Sequence, residues 1–509
     1  MLVLQSRINR FLPFVFLIFF ACSSSRDFEL IPSDAKLVMA VDFKNLALNA
    51  LSFDNLFSQS PDSSSKPKKG DIAFDKTGID YMRQGLAFQR AGAAYQERVY
   101  MIVPITDKDE FFDFCKTIDS TAVRSKSYEM EWITGQSITF GVKDKTAVGQ
   151  FDKFQSEDSK SKTYLRELLE LKPEGKLVQT KPHFKELTDK SYDASIWVDL
   201  GKFTEDAQIP VGAFKKPTGE FSGILDFQDG KIELTADGFN SDPESLKYAK
   251  MMEKTIEGSF LERIPSSKPM AVMAFRVDMD QFKTMIESNQ QLASMFDGLQ
   301  VLGLQKGEIF SILGGQVSIS GLEPAPAGEM FPKVSLQLTI RDKAKASMAF
   351  ENMANVGMII KTGPDLYTHP QVPGLAIRLK NDMLEVSNSA STQKFDPKNL
   401  EDFPSGNFIA WFNFADIAKA IPAGLPVSAG MNEFAGYWKS ISMASHYESP
   451  EHSTLRATLT STKSDQNAFL TMAEFAKSLQ KMQKSQPAFP QGPEAYNNPS
   501  EEPPMSLEE

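Results

Sequence analysis

Hydrophobic and polar positions follow two rhythms between residues 31 and 483. Runs such as "VYMIVPI" (99–105) and "VSLQLTI" (334–340) predict strands. The stretches after them, "TDKDEFFDFCKTI" (106–118) and "RDKAKASMAFENMA" (341–354), repeat their apolar residues at helical spacing. "GQSITFGVKDKTAVGQF" (135–151) predicts a hairpin turning at Lys143-Asp144-Lys145. "GILDFQDGKIELTADGF" (223–239) predicts another, turning at Asp229-Gly230. Hairpins mixed with strand–helix units mean an α+β fold with mainly antiparallel sheets. Residues 152–190 read as a long polar, Lys-rich loop with one amphipathic turn at "YLRELLEL", and 58–71 as a Ser-, Pro- and Lys-rich loop.

The pattern also repeats. "IPSDAKLVMAVDFKNL" from Ile31 matches "IPSSKPMAVMAFRVDMDQF" from Ile264. The segments from Arg98, Gln136, Ser191 and Leu234 match, in the same order, those from Lys333, Gly374, Ser405 and Ala457. Five ordered matches predict two homologous α+β halves, 31–260 and 261–483. The extra loop at 152–190 accounts for the smaller offset of the last two pairs.

Four main strands end in an acid or amide followed by apolar residues at one and four positions on: Asp42, Asp199, Asp278 and Asn413. A lone acid at a strand end is a candidate catalytic group, but four copies, one of them an amide, argue otherwise. Asp and Asn both accept a hydrogen bond from an orphan N–H in the first helical turn, so all four are expected to be structural helix caps. Gln281, three residues after Asp278, completes a capping-box pattern.

The N-terminus carries Arg7 and Arg10, then a ten-residue apolar run, Phe11 to Phe20, then Ala21-Cys22. That run is too short to span a bilayer and fits a secretory signal. A small residue before Cys resembles a bacterial lipoprotein signal. The resemblance implies that residues 1–21 are removed, that Cys22 is lipidated and that residues 22–30 form a tether. Cys115 is then left without a partner and is expected to be a buried, inert thiol on a helix face. Residues 484–509, Pro-rich and acidic, are expected to be disordered.

Composition adds limits. The 509 residues are 41% hydrophobic and 24% charged, as in a globular chain, and include 39 Phe and 22 Met, expected mainly as core. A net charge of -11 excludes a nucleic-acid binder, which needs a basic face. The four histidines, His183, His369, His446 and His452, show no ligand spacing, so no metal is expected. His446 and His452 flank a turn and should be exposed. There is no nucleophile elbow and no phosphate-binding loop. "LGGQVS" (313–318) reads as a turn into a strand, "DMD" (278–280) includes a residue already read as a cap, and "SEDSKSK" (156–162) lacks the spacing of a calcium loop. No catalytic residue and no cofactor are expected.

The signal, the opening "IPSDAKLVMAVDFKNL", the length and the two-fold repetition together resemble a group of lipoproteins of Bacteroidetes known only by a domain-of-unknown-function label. The resemblance implies an envelope lipoprotein anchored in the outer membrane through Cys22, and carries over no catalytic residue. It also makes "SSSRDFE", just after Cys22, a weak form of the acidic stretch that directs such proteins to the cell surface. The sequence thus predicts a non-enzymatic binding or scaffold protein for an envelope protein partner or small ligand. The alternatives are a surface or periplasmic hydrolase using carboxylates in a cleft between the repeats and a purely structural spacer.

Overall fold

The computed structural model describes residues 27–42, 76–92, 98–127, 129–151, 158–190, 192–206, 218–288, 293–294, 307–326, 332–400, 403–422 and 426–485. The signal, Cys22, the 58–71 loop and residues 486–509 lie outside them. The fold is mixed α+β, with one large antiparallel sheet.

The first ten strands are β1 (Ala35–Val41), β2 (Gly85–Arg90), β3 (Val99–Pro104), β4 (Val123–Ser127), β5 (Met130–Thr134), β6 (Ile138–Lys143), β7 (Thr146–Phe151), β8 (Ala194–Asp199), β9 (Glu220–Gln228) and β10 (Lys231–Phe239). The next ten are β11 (Ala271–Arg276), β12 (Leu313–Glu323), β13 (Lys333–Ile340), β14 (Ile360–Gly363), β15 (Leu366–His369), β16 (Val372–Leu379), β17 (Met383–Ser387), β18 (Phe408–Asn413), β19 (Trp438–Ser449) and β20 (His452–Ser461). Across the sheet the first set runs β4-β5-β6-β7-β3-β2-β1-β8-β9-β10. The second set has the same pairings in the same order, from β14 to β20. The sets meet where β10 pairs with β20, from Lys231↔Thr460 to Phe239↔His452. The sequence suggested a sheet in each half; instead a single sheet runs through both.

The register at this seam is self-symmetric. Hairpin β9–β10 closes on Gln228↔Lys231 and hairpin β19–β20 on Ser449↔His452, so Lys231 corresponds to His452 and Phe239 to Thr460. Exchanging equivalents turns the pair Lys231↔Thr460 into His452↔Phe239, the other end of the same ladder.

Thirteen α-helices accompany the strands among the described residues, and ten of them have seven residues or more: α1 (Lys108–Ile118), α2 (Asp158–Leu169), α3 (Pro182–Thr188), α4 (Leu200–Asp206), α5 (Pro243–Met251), α6 (Met279–Ser288), α7 (Lys343–Asn355), α8 (Phe414–Ala420), α9 (Pro426–Tyr437) and α10 (Ala468–Ser485). The helices after the seam strands cross over. α5, after β10, packs on β19, and α10, after β20, packs on β9 and β10. Beneath α10 the core joins Phe227 and Ile232 to Trp438 and Phe469.

Strands β6 and β7 are buried on both faces. One face, with Met101, Val103, Phe140 and Ala147, lies under Phe111, Phe112 and Cys115 of α1. The other, with Tyr100, Trp132 and Val148, lies under Leu165 and Leu168 of α2. This corrects the reading of 152–190 as a loop. Its Lys and Glu residues solvate an outer face, while Leu165, Leu168, Leu177, Phe184 and Leu187 fill the core. The expected tether also ends early: Asp27–Leu30 form a 3-10 turn, Phe28 packs edge-on to Phe184 at 5.7 Å, and Asp27 pairs with Arg83 at 2.6 Å.

Both hairpins turn as the sequence predicts, with Gly230 at φ 72° and Asp144 at φ 54°. The "LGGQVS" segment is already strand β12. Gly315 sits at φ 90°, and a Cβ there would stand 2.0 Å from the Val277 carbonyl oxygen. The edge strands β4 and β14 carry Arg124, Lys126 and Lys361, charges that oppose pairing with another sheet.

On β5, Glu131 accepts from Lys108 Nζ and from Arg124 Nε, the latter at 3.0 Å. These cations hold its carboxyl at about 2, well below the usual range. A depressed folded-state value stabilises above the unfolded value, near 4.3, and that contribution is lost as pH falls through about 2. Solvent screening keeps it small. Thermal melts of wild type and Glu131→Gln should therefore differ at pH 6 and converge by pH 2.

Candidate functional site

Three of the four recurring strand-end residues accept hydrogen bonds from first-turn amides. Asn413 Oδ1 accepts from Asp416 N at 3.1 Å and caps α8. Asp199 Oδ1 accepts from Lys202 N at 3.1 Å in α4, and its other oxygen pairs with Lys181 at 3.3 Å. Asp278 Oδ1 accepts from Asp280 N and Gln281 N at 3.1 and 3.2 Å, while Oδ2 takes Lys254 at 2.6 Å. That lysine, together with the two amides, lowers the pKa of Asp278. Asp42 is buried at the end of β1, and the helix it was expected to cap lies outside the described residues. The sequence reading missed further caps at Asp107 and Asp342, at equivalent strand-to-helix joints before α1 and α7. Asn413→Ala should cost about 1 kcal/mol in urea denaturation and Asn413→Asp close to nothing.

Other candidates are accounted for by packing. Cys115 is 1% exposed, and burial pushes its thiol pKa up, away from reactivity. His446 is exposed, but His452 is half-buried, a correction to the expectation for it. Its ring stacks on Phe239, which stacks in turn on His183 at 3.5 Å, and its nitrogens lie 3.1 Å from Asp237 and 3.3 Å from Glu448. The "DMD" acids are engaged by Lys254 and Arg341. Among the described residues no group of three or more His, Cys, Asp or Glu could hold a metal ion. Likewise, none of the described helices is long and apolar enough to cross a membrane.

The two sets of strands differ in one transverse row. From β2 across β3, β7 and β6 to β5, the first set places Leu86, Ile102, Val148, Gly141 and Trp132 side by side. The equivalent row from β12 to β15 is Ser318, Gln337, Glu385, Arg378 and Leu366. In the next row Phe88 and Tyr100 stand against Ser320 and Ser335, while the third position is polar in both sets, Gln150 and Ser387. The six polar residues of these rows on β12, β13 and β17, Ser318, Ser320, Ser335, Gln337, Glu385 and Ser387, are all buried. Ser318 donates to Gln337 Oε1 at 3.3 Å, and Gln337 Nε2 donates to the Arg263 carbonyl at 2.7 Å. Ser320 Oγ and Ser335 Oγ, opposite each other, have no hydrogen-bond partner among the described residues. Burying this much polarity is costly, and the first set shows that an apolar alternative fits the same framework.

Where α2 covers the first row, residues 388–400 cross the second as a strap. Phe395 anchors it in a core with Val272, Ala274 and Met383, and Ser267 Oγ donates to Gln393 Oε1 at 2.9 Å. Between strap and sheet lies an open cleft of about 560 Å³. Arg378 lines it from β16 and Lys380 from the turn just after it, Glu385 and Met383 from β17, and Ser391 to Lys394 from the strap, with Arg263 completing the lining. Glu385 is 4% exposed and accepts from Arg378 at 2.8 Å and Lys380 at 2.5 Å. Arg263 pairs with Asp382 outside the lining, at 2.7 Å. The lining itself holds four cations against one carboxylate.

No family model matches the chain, and no curated protein matches it. Among solved structures it is similar to TP0453 in crystal form I, at 11% identity, covering 46% of this chain and 88% of that one, with a TM-score of 0.28. Crystal form IV of the same protein matches at 12% identity, covering 42% and 79%, also with a TM-score of 0.28. Likeness at that level carries no argument.

Proposed function

We propose that the chain is a cell-envelope lipoprotein, anchored in the outer membrane through lipid on Cys22, and that it is a non-enzymatic binding protein built on two homologous halves, 31–260 and 261–483. The observation that carries the binding role is the exchange of an apolar row for a buried polar one beneath an open cleft. Evolution keeps such costly polarity where a ligand uses it. The duplication is supported by identical strand pairings, the self-symmetric seam and the crossed helices α5 and α10. The anchor and location rest on the lipoprotein-like signal and on the resemblance to the Bacteroidetes lipoproteins.

A hydrolase is not favoured at this cleft. Glycoside hydrolysis needs two carboxylates at defined separation, and this lining offers one, already neutralised by two cations. The purified chain, assayed on oligosaccharide and peptide libraries, is expected to show no turnover. Multiple turnover that disappears in Glu385→Gln would overturn the binding-protein reading.

A further inference from the structure

We propose that the cleft binds a small organic anion through a phosphate or carboxylate group, held by Arg378 on the sheet, Lys380 in the turn just after β16 and Lys394 on the strap. This deepens the reading of the protein as a binder and rests on it. The chain carries a net charge of -11, yet this lining is cationic by four to one. Concentrated positive charge in a concave, partly desolvated site attracts anions where the rest of the surface repels them. Glu385 serves the arrangement rather than cancelling it. One carboxylate, shared between Arg378 and Lys380, fixes the direction of both and leaves N–H groups over, since a guanidinium has five and an ammonium three.

The space is itself informative. In the first set, Gly141 stands at the position of Arg378, and the Trp132 ring lies against it: a Cβ there would meet the indole at 2.6 Å. In the second set that aromatic plug is replaced by a charged side chain and a cleft. Its volume of about 560 Å³ falls within the range of small-molecule sites and exceeds the needs of bare phosphate. Met383 and Ala390 give apolar contact for an organic body, and Ser391, Thr392 and Gln393 give neutral donors.

The test is calorimetric titration of the full chain in detergent with pyrophosphate, glucose 6-phosphate and citrate. Vesicles of phosphatidylglycerol, set against phosphatidylcholine, tell a lipid headgroup from a soluble source. The double variant Lys380→Gln/Lys394→Gln and a control on α1, Lys116→Gln, are compared with wild type after melts show that they fold. Saturable wild-type binding to at least one phosphorylated or carboxylated probe, weakened tenfold or more in the double variant and unchanged in the control, is the expected result. Binding to phosphatidylglycerol alone would assign the headgroup as the source, and binding to the free compounds a soluble ligand. No saturable binding to any probe, or equal affinity in the double variant, overturns the proposal. Absence of binding together with absence of turnover removes this assignment alone. Turnover sensitive to Glu385→Gln removes the binding-protein reading beneath it.

Discussion

Trp197→Ala should lower the free energy of unfolding by about 3–5 kcal/mol, read as a lower midpoint in urea with the slope retained. Trp197 lies on β8 at the centre of the first core and is fully buried. Phe184 of α3 meets its ring edge-on at 5.6 Å, and its Nε1 donates to Glu220 at 3.2 Å. Truncation empties a space walled by sheet on one side and helices on the other, neither free to collapse into it. It also leaves the carboxylate of Glu220 without the indole donor, although Lys181 still holds that group at 3.1 Å. Trp197→Phe keeps most of the ring contact and should cost less. A loss below about 1 kcal/mol for the alanine variant would mean that this region contributes little to the cooperative core.

The second large effect is expected at the seam. Ala457 is on β20, opposite Leu234 of β10 on one side and Met443 of β19 on the other. Proline there removes a ladder donor and pushes a ring toward a neighbouring strand, which interior strands do not tolerate. Ala457→Pro should destabilise by about 3–5 kcal/mol and expose the core around Phe227, Trp438 and Phe469 that α8, α9 and α10 cover. Ala457→Val, at the same place, should be close to neutral because it keeps the N–H and suits a strand. If proline is tolerated as well as valine, the seam does not bear on stability and the crossing helices alone join the two sets.

Much of the framework was legible in the sequence because local pattern dictates it. The strands at 99–104 and 333–340, the helices after them, and the turns at Asp144 and Gly230 follow from periodicity and turn chemistry, which act over a few residues. Asn413 and Asp199 could be read as caps because a cap is a local device. The helices within 152–190 were missed because Lys and Glu dominate their outer faces and hide a narrow apolar stripe.

The cleft was not legible for a different reason. In β13, alternation suggests that Val334, Leu336 and Leu338 point inward and that Ser335 and Gln337 face solvent. The structure has Ser335 and Gln337 buried, and Val334 40% exposed. β12 shows the same inversion, with Ser318 and Ser320 inside and Ile319 51% exposed. Which face of a strand is covered is decided by elements far away in the chain, here the strap and the 256–264 segment. A signal was present nonetheless. The hairpin match "TFGVKDKTAV" to "AIRLKNDMLEV" places Arg378 against Gly141 and Glu385 against Val148. Charge at an inward position, where the matching segment carries an apolar residue or glycine, is a mark that comparison within the chain can find.

Metabolic labelling with palmitate tests the central claim, that this scaffold works from a lipid anchor in the envelope. Wild type is expected to take up label and to sediment with outer membrane, and Cys22→Ser to take up none and to leave the membrane fraction with its fold unchanged. Label retained by a folded Cys22→Ser protein, or a wild type free of label in the soluble fraction, would contradict the account.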